Sequence, residues 1–114
     1  MKEIKAYVRN FMIQNVVSAL IREGFSSMTI IDVAGLGNLV DPEREHYSIE
    51  VFRSSSKMVK IELVCASEAT DQVVKIIQES GVTHRSGDGI IFVSPVEHAI
   101  KIRTGAEGTA VLQT

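Results

Sequence analysis

The first residues that could do chemistry are two glycine pairs, Gly35-Leu36-Gly37 and Gly87-Asp88-Gly89. Glycine-rich turns can present backbone N–H groups to phosphate oxygens. A dinucleotide-binding fingerprint would set its glycines between a strand and a following helix, whereas one of these pairs follows an expected strand and the other precedes one. Taken alone, either pair reads as a turn. Lys101 and Arg103 alternate along an expected strand, so both would project to one side, as a pair gripping an anion would. The plainer reading of that pair is an exposed, charged edge strand. His46, His84, His98, Cys65 and the acidic residues of the central region fit no zinc-ligand spacing. Cys65, in step with Ile61 and Leu63, is expected as a core thiol, and His46 as a solvated loop residue. No nucleophile-base pair, carboxylate pair or metal triad can be placed together, so neither an enzyme nor a metal site is expected.

These residues need a scaffold, and the chain supplies one twice. The run from Asn15 to Gly24 aligns with the run from Gln72 to Gly81 at a constant offset of 57, which also pairs Ile4 with Ile61. Each half reads as a strand followed by a helix. Ile13, Val16, Val17, Leu20 and Ile21 share one face of the first helix, and Ala69, Val73, Ile76 and Ile77 do so in the second. Gly24 and Gly81 follow the last periodic residues, where glycine stops a helix cheaply in a left-handed conformation. Met28 to Val33 and Ile90 to Val93, β-branched or aromatic and bounded by glycine, supply a second strand in each half. Two β-α-β halves make an α+β, ferredoxin-like fold: a four-stranded antiparallel sheet with both helices on one face. Ile30, Ile31, Val33 and Ile90 to Val93 put apolar side chains on both faces, which predicts that a second subunit covers the open face. Leu36 to Lys57 is a long acidic loop, of a length that is usually functional or mobile. Val96 to Ile100 is expected as one helical turn and Lys101 to Thr104 as a short strand; the tail 105–114 carries no clear pattern.

With 114 residues, 45% hydrophobic against 23% charged and no Trp, the chain has enough apolar material for one aliphatic core, so residues 1–114 are expected to form a single domain. A formal charge of −2 lacks the basic excess that nonspecific phosphate-backbone binding requires, and nucleic acid is not an expected partner. Neither a signal peptide nor an apolar run of membrane-spanning length is read from the sequence; a cytoplasmic protein without direct membrane insertion is expected.

The stretch from Thr83 to Val96, THRSGDGIIFVSPV, resembles the carboxy-terminal signature of the PII nitrogen-regulatory signal-transduction proteins at all positions but Ile90. Lys101 to Gly105 is similar to the segment that follows it in that family, and Gly24 to Gly37 to the stretch leading into its long T-loop. The resemblance implies a homotrimer with an adenine-nucleotide site in each intersubunit cleft. It also implies a T-loop, 36–57 here, that docks on a target protein such as a membrane transporter or an enzyme. Thr29, Gly35, Gly37, Val64, Gly87, Asp88, Gly89 and Arg103 match the family's nucleotide-site positions, and Lys101 replaces an arginine, keeping the charge without the bidentate fork.

The departures shape the expected ligand. Ile90, Asn38 and Met58 stand where the family usually has lysine, arginine and lysine, and Leu39 where it has glutamine. Lys57 would point to the opposite face from Met58 and so cannot replace the missing lysine. The resemblance assigns those positions to the distal phosphates, magnesium and 2-oxoglutarate. Each lost cation is a charge-assisted partner worth roughly 1.5–3 kcal/mol. ADP or AMP is therefore expected to be favoured over ATP, with no role for 2-oxoglutarate. Val51 and Ile49 occupy the usual modification positions, and nothing flanking Tyr47 or Ser48 marks either as a replacement. The alternative is a trimeric metal- or anion-binding accessory protein, linked to metal efflux or bicarbonate transport, whose nucleotide site has decayed.

Overall fold

In the computed structural model, residues 1–33 and 58–112 are described. They form β1 (Lys2–Arg9), α1 (Ile13–Arg22), β2 (Thr29–Val33), β3 (Met58–Cys65), α2 (Thr70–Gly81) and β4 (Ile91–Pro95). Short 3-10 turns, Asn10–Met12 and Ser67–Ala69, lead into the helices, and a third spans Thr109–Leu112. The sheet runs β2-β3-β1-β4 with every neighbouring pair antiparallel. This is the expected ferredoxin-like architecture. The expected loop 36–57, with its candidates Asn38, Leu39, His46, Tyr47, Ser48 and Lys57, lies outside the described residues, as do Gly35 and Gly37. Among the described residues, no helix is long and apolar enough to cross a membrane.

Alternation along the two central strands builds the core. Ile4, Ala6 and Val8 of β1 face the helices with Val59, Ile61, Leu63 and Cys65 of β3, and all are buried. Val16 and Leu20 of α1 and Val73 and Ile77 of α2 close over them. The offset repeat is thus a repeat of core positions, since Ile4 and Ile61, Val16 and Val73, and Leu20 and Ile77 are all 0–1% exposed. Burying each such side chain contributes roughly 1.5–3 kcal/mol. Ile21 departs from the expected helix face: the buried stripe is narrower than the apolar one, and Ile21 is 52% exposed at its margin.

The two helices stop differently. Gly24 adopts φ +92°, its N–H bonds to the Ile21 carbonyl at 3.0 Å, and the Phe25 N–H reaches back to the Leu20 carbonyl at 2.9 Å. That pairing satisfies the last carbonyls and turns Phe25 onto the core. Gly81, expected to do the same, is the last residue of α2 and has no left-handed φ. The chain leaves α2 through an extended Val82 instead. Past Gly81 the repeat also breaks: the first half's Thr29 maps onto Ser86, but β4 begins at Ile91. The extra residues form the loop on which the site is built.

Strand register bears out apolar side chains on both faces of the edge strands, with Ile31, Val33 and Phe92 on the open face and Ile30 and Val93 on the helix side. It adds a polar centre from β1 and β3. Lys5 pairs with Glu62 and Tyr7 with Lys60 across the open face, and ion pairs Lys5–Glu3 (3.4 Å) and Lys60–Glu62 (3.0 Å) run along it. Its centre is charged. Ile31 and Phe92 flank that centre, whereas Ile30 and Val93 lie on the helix side at sheet edges that the helices leave exposed. Continuous apolar runs conceal this division, because period-2 reading needs polar residues to mark the faces. The strand limits shift as well: Met28 and Ile90 lie outside the strands they were expected to open, and β4 extends to Pro95. Val96 to Ala99 is irregular, not helical, and the expected strand Lys101–Thr104 is a turn.

Candidate functional site

The Thr83–Ile90 loop is organised around one carboxylate. Asp88 Oδ1 accepts from Arg9 Nε at 2.9 Å and from the Thr83 hydroxyl; its Oδ2 accepts from the backbone N–H of Thr83 at 2.8 Å and of His84 at 2.9 Å. Arg9 Nη2 also donates to the Ser86 carbonyl at 2.9 Å, so one guanidinium spans the loop. The Thr83 hydroxyl, followed by Arg9, holds the Asp88 carboxyl well below the usual carboxylate range. Asp88 therefore builds the turn, and its known partners all come from within the chain. Glycine is required on both sides of it. Gly87 has φ +100°, and a Cβ on Gly89 would sit 1.5 Å from the Tyr7 carbonyl oxygen. The same contact lets the Tyr7 N–H bond to the Ile90 carbonyl at 2.9 Å. The surroundings are apolar: Met58 is 8% exposed with its methyl under Gly89, and Ile90 is half exposed. Met58 and Ile90, two positions where the resemblance leads one to expect lysine, thus fall beside this loop. The cavity there measures about 150 Å³, below the ~300 Å³ at which small-molecule pockets begin.

Thr29 and Val64 belong to another part of the sheet. They line a cleft of about 610 Å³ with Glu3, Met28 and Glu62, which adjoins one of about 660 Å³ and shares Ser26, Ser27, Leu63, Val64 and Leu112 with it. Aliphatic walls with a few hydroxyls suit a flat, weakly polar ring. The carboxylates of Glu3 and Glu62, which also line it, do not suit phosphate. Cys65 lines the larger cleft from the core side, and burial pushes its thiol up, with the Thr70 hydroxyl pulling the other way. Among the described residues no three His, Cys, Asp or Glu side chains come together as a metal cluster.

The two groups of candidates occupy opposite corners. Thr29 lies on edge strand β2 and the glycine loop leads into the other edge strand, β4; Val64 pairs with Glu3, whereas Gly89 packs on Tyr7. At about 4.8 Å between strands and 3.3 Å per residue, the corners are roughly 14 Å apart across the sheet and roughly 13 Å along it. None of these three cavities draws on both corners. Lys101 and Arg103 are not alternating strand residues. Lys101 N–H bonds to Ala106 and Gly105 N–H to Lys101, at 2.9 and 2.7 Å, and Ile100 bridges Glu107. They flank a fully exposed Ile102 on a hairpin that extends from the end of β4. Thr104 Oγ accepting from Ala106 N–H, and Gly105 at φ +73°, close that turn; Thr-Gly was the available signal.

Comparison with known proteins now places the fold. The family model for nitrogen regulatory protein P-II matches residues 1–106. The chain belongs to the P-II family. Among its relatives is the nitrogen regulatory protein P-II of Haemophilus influenzae, 39% identical over 94% of this chain and 96% of the relative. That of Nostoc punctiforme is 35% identical over 96% and 97%, and that of Pyropia yezoensis 34% identical over 91% and 93%. The P-II resemblance carried by Thr83 to Val96 therefore extends along nearly the whole chain. Arg9 was missed in the sequence because its partner lies 79 residues away, and a lone arginine at a strand end carries no local signal.

Proposed function

We propose that this P-II family protein is a trimeric, non-catalytic regulator that binds an adenine nucleotide between subunits and reports it to a partner through residues 36–57. The observation that carries the reading is the split of the candidate residues between two corners of one sheet, Thr29 and Val64 at one and Gly87, Asp88 and Gly89 at the other. The Thr29/Val64 cleft of one copy would take the base, and the glycine loop of the next, with Lys101, Arg103, Gly35 and Gly37, would take the phosphates. The regulated partner would be a transporter or an enzyme, acted on in the cytoplasm. A nucleotide can shift the partner-binding state only through different affinities for two states of the trimer.

Phosphate count follows from the apolar setting of the glycine loop. Ile90 and Met58 offer a third phosphate no partner, and Arg9 is already engaged by Asp88. ADP or AMP should therefore bind at least as well as ATP, and 2-oxoglutarate should not strengthen ATP binding. Calorimetric titration of each nucleotide with magnesium, with and without 2-oxoglutarate, tests this. ATP binding tenfold tighter than ADP, or a tenfold gain from 2-oxoglutarate, would require about 1.4 kcal/mol from groups this chain has lost, and would overturn it. If no adenine nucleotide binds, the metal- or anion-binding accessory role becomes the better reading.

A further inference from the structure

The C-terminal turn closes one side of the Thr29/Val64 corner. Thr109 and Ala110 are exposed, but Val111 and Leu112 are half-buried against the sheet. Leu112 borders both clefts there, together with Ser26, Ser27, Leu63 and Val64. The chain is brought back to this point by the preceding hairpin, in which Gly108 N–H bonds to the Ala99 carbonyl and Val111 N–H to Gly108, each at 3.2 Å. Two aliphatic side chains in an otherwise polar tail have an apolar destination, and the destination is the rim of a cleft large enough for a ligand.

We infer that Val111 and Leu112 are positioning residues of that cleft, forming a wall against which a flat, weakly polar ring such as a purine is held. The inference rests on the nucleotide reading above and deepens it by assigning the tail to the base end of the ligand. Glu3 and Glu62 also line the cleft, and their carboxylates disfavour phosphate inside it, so the ring is the part of the nucleotide that the cleft would take. A residue that acts on the ring changes binding of the nucleoside and of the nucleotide by the same factor. A residue that acts on phosphates changes only the latter.

The test is calorimetric titration of the full-length chain with ADP and with adenosine, repeated for Leu112→Ser, for a chain ending at Gly108, and for Arg103→Ala. Ile21→Ser, an exposed position that lines neither cleft, serves as the control. Leu112→Ser is expected to weaken ADP and adenosine alike by about tenfold, the shortened chain by at least as much, and Arg103→Ala to weaken ADP alone. Leu112→Ser that leaves ADP unchanged or tighter, or that weakens ADP while sparing adenosine, overturns the wall and leaves the nucleotide reading standing. A parent chain that binds neither compound overturns both. Should the shortened chain fail to fold, Leu112→Ser with an unchanged melting temperature decides the matter by the same criteria.

Discussion

The carboxylate of Asp88 gathers donors from Thr83, Arg9 and His84, each of which favours its charged form, so its pKa in the folded chain lies below the unfolded value. A carboxylate lowered by folding stabilises the fold fully above its unfolded pKa, about 3.9, and loses that contribution as pH falls toward the folded value. Denaturation midpoints measured from pH 7 down to pH 2 should therefore fall more steeply below about pH 4 for the parent chain than for Asp88→Asn. Equal slopes would show that the network does not hold the loop. Arg9→Ala removes one of the donors and should loosen the same loop without touching the core. The neighbouring glycine is a sharper case. Gly89→Ala sets a methyl carbon 1.5 Å from the Tyr7 carbonyl oxygen and should cost about 3 kcal/mol or more. Gly105→Ala, strained at φ +73° but with open space around it, should cost only about 1 kcal/mol. Urea unfolding of the two variants side by side separates steric from conformational cost.

At the level of elements, the helices illustrate what apolar spacing can and cannot tell. Leu20 and Ile21 are adjacent and equally apolar, yet Leu20 is sealed between sheet and helix while Ile21 is half exposed. Leu20→Ala should lower stability by about 2–5 kcal/mol and Ile21→Ser by no more than about 0.5 kcal/mol, readable from chemical denaturation. The order of strands and helices was legible because the core recurs at a fixed offset, placing Val16 and Val73, and Leu20 and Ile77, in equivalent positions. Gly24 was legible as a helix stop for the same local reason, whereas Gly81 shows that a glycine after a helical run does not have to be left-handed. The loop around Asp88 was legible as a glycine turn but not as an Arg9 clamp, since no local pattern joins residues on distant segments. Lys101 and Arg103 misled because alternation resembles a strand until the Thr104-Gly105 turn is given its weight. Val111 and Leu112 were passed over because two apolar residues are too few for periodicity.

For the whole molecule, the open sheet face bears on assembly. Its ionic centre is partly exposed and ion pairs of that kind contribute little, so Phe92 and Ile31 at its margins are the side chains that gain most from a neighbouring copy. Phe92 also meets the Tyr7 ring edge-on at 6.3 Å. Sedimentation should report a trimer for the parent chain at micromolar concentration and a shift toward monomer for Phe92→Glu; a parent monomer would remove the intersubunit site with it. The strand order has a separate consequence, for synthesis. β1 is made first and lies inside the sheet, but both of its hydrogen-bonding neighbours, β3 and β4, belong to the second half of the chain. β2, the next strand to be made, pairs with β3 instead. A ribosome-bound chain therefore carries β1 with two bare edges until most of the sequence has emerged, the condition under which strands mispair and nascent chains recruit chaperones.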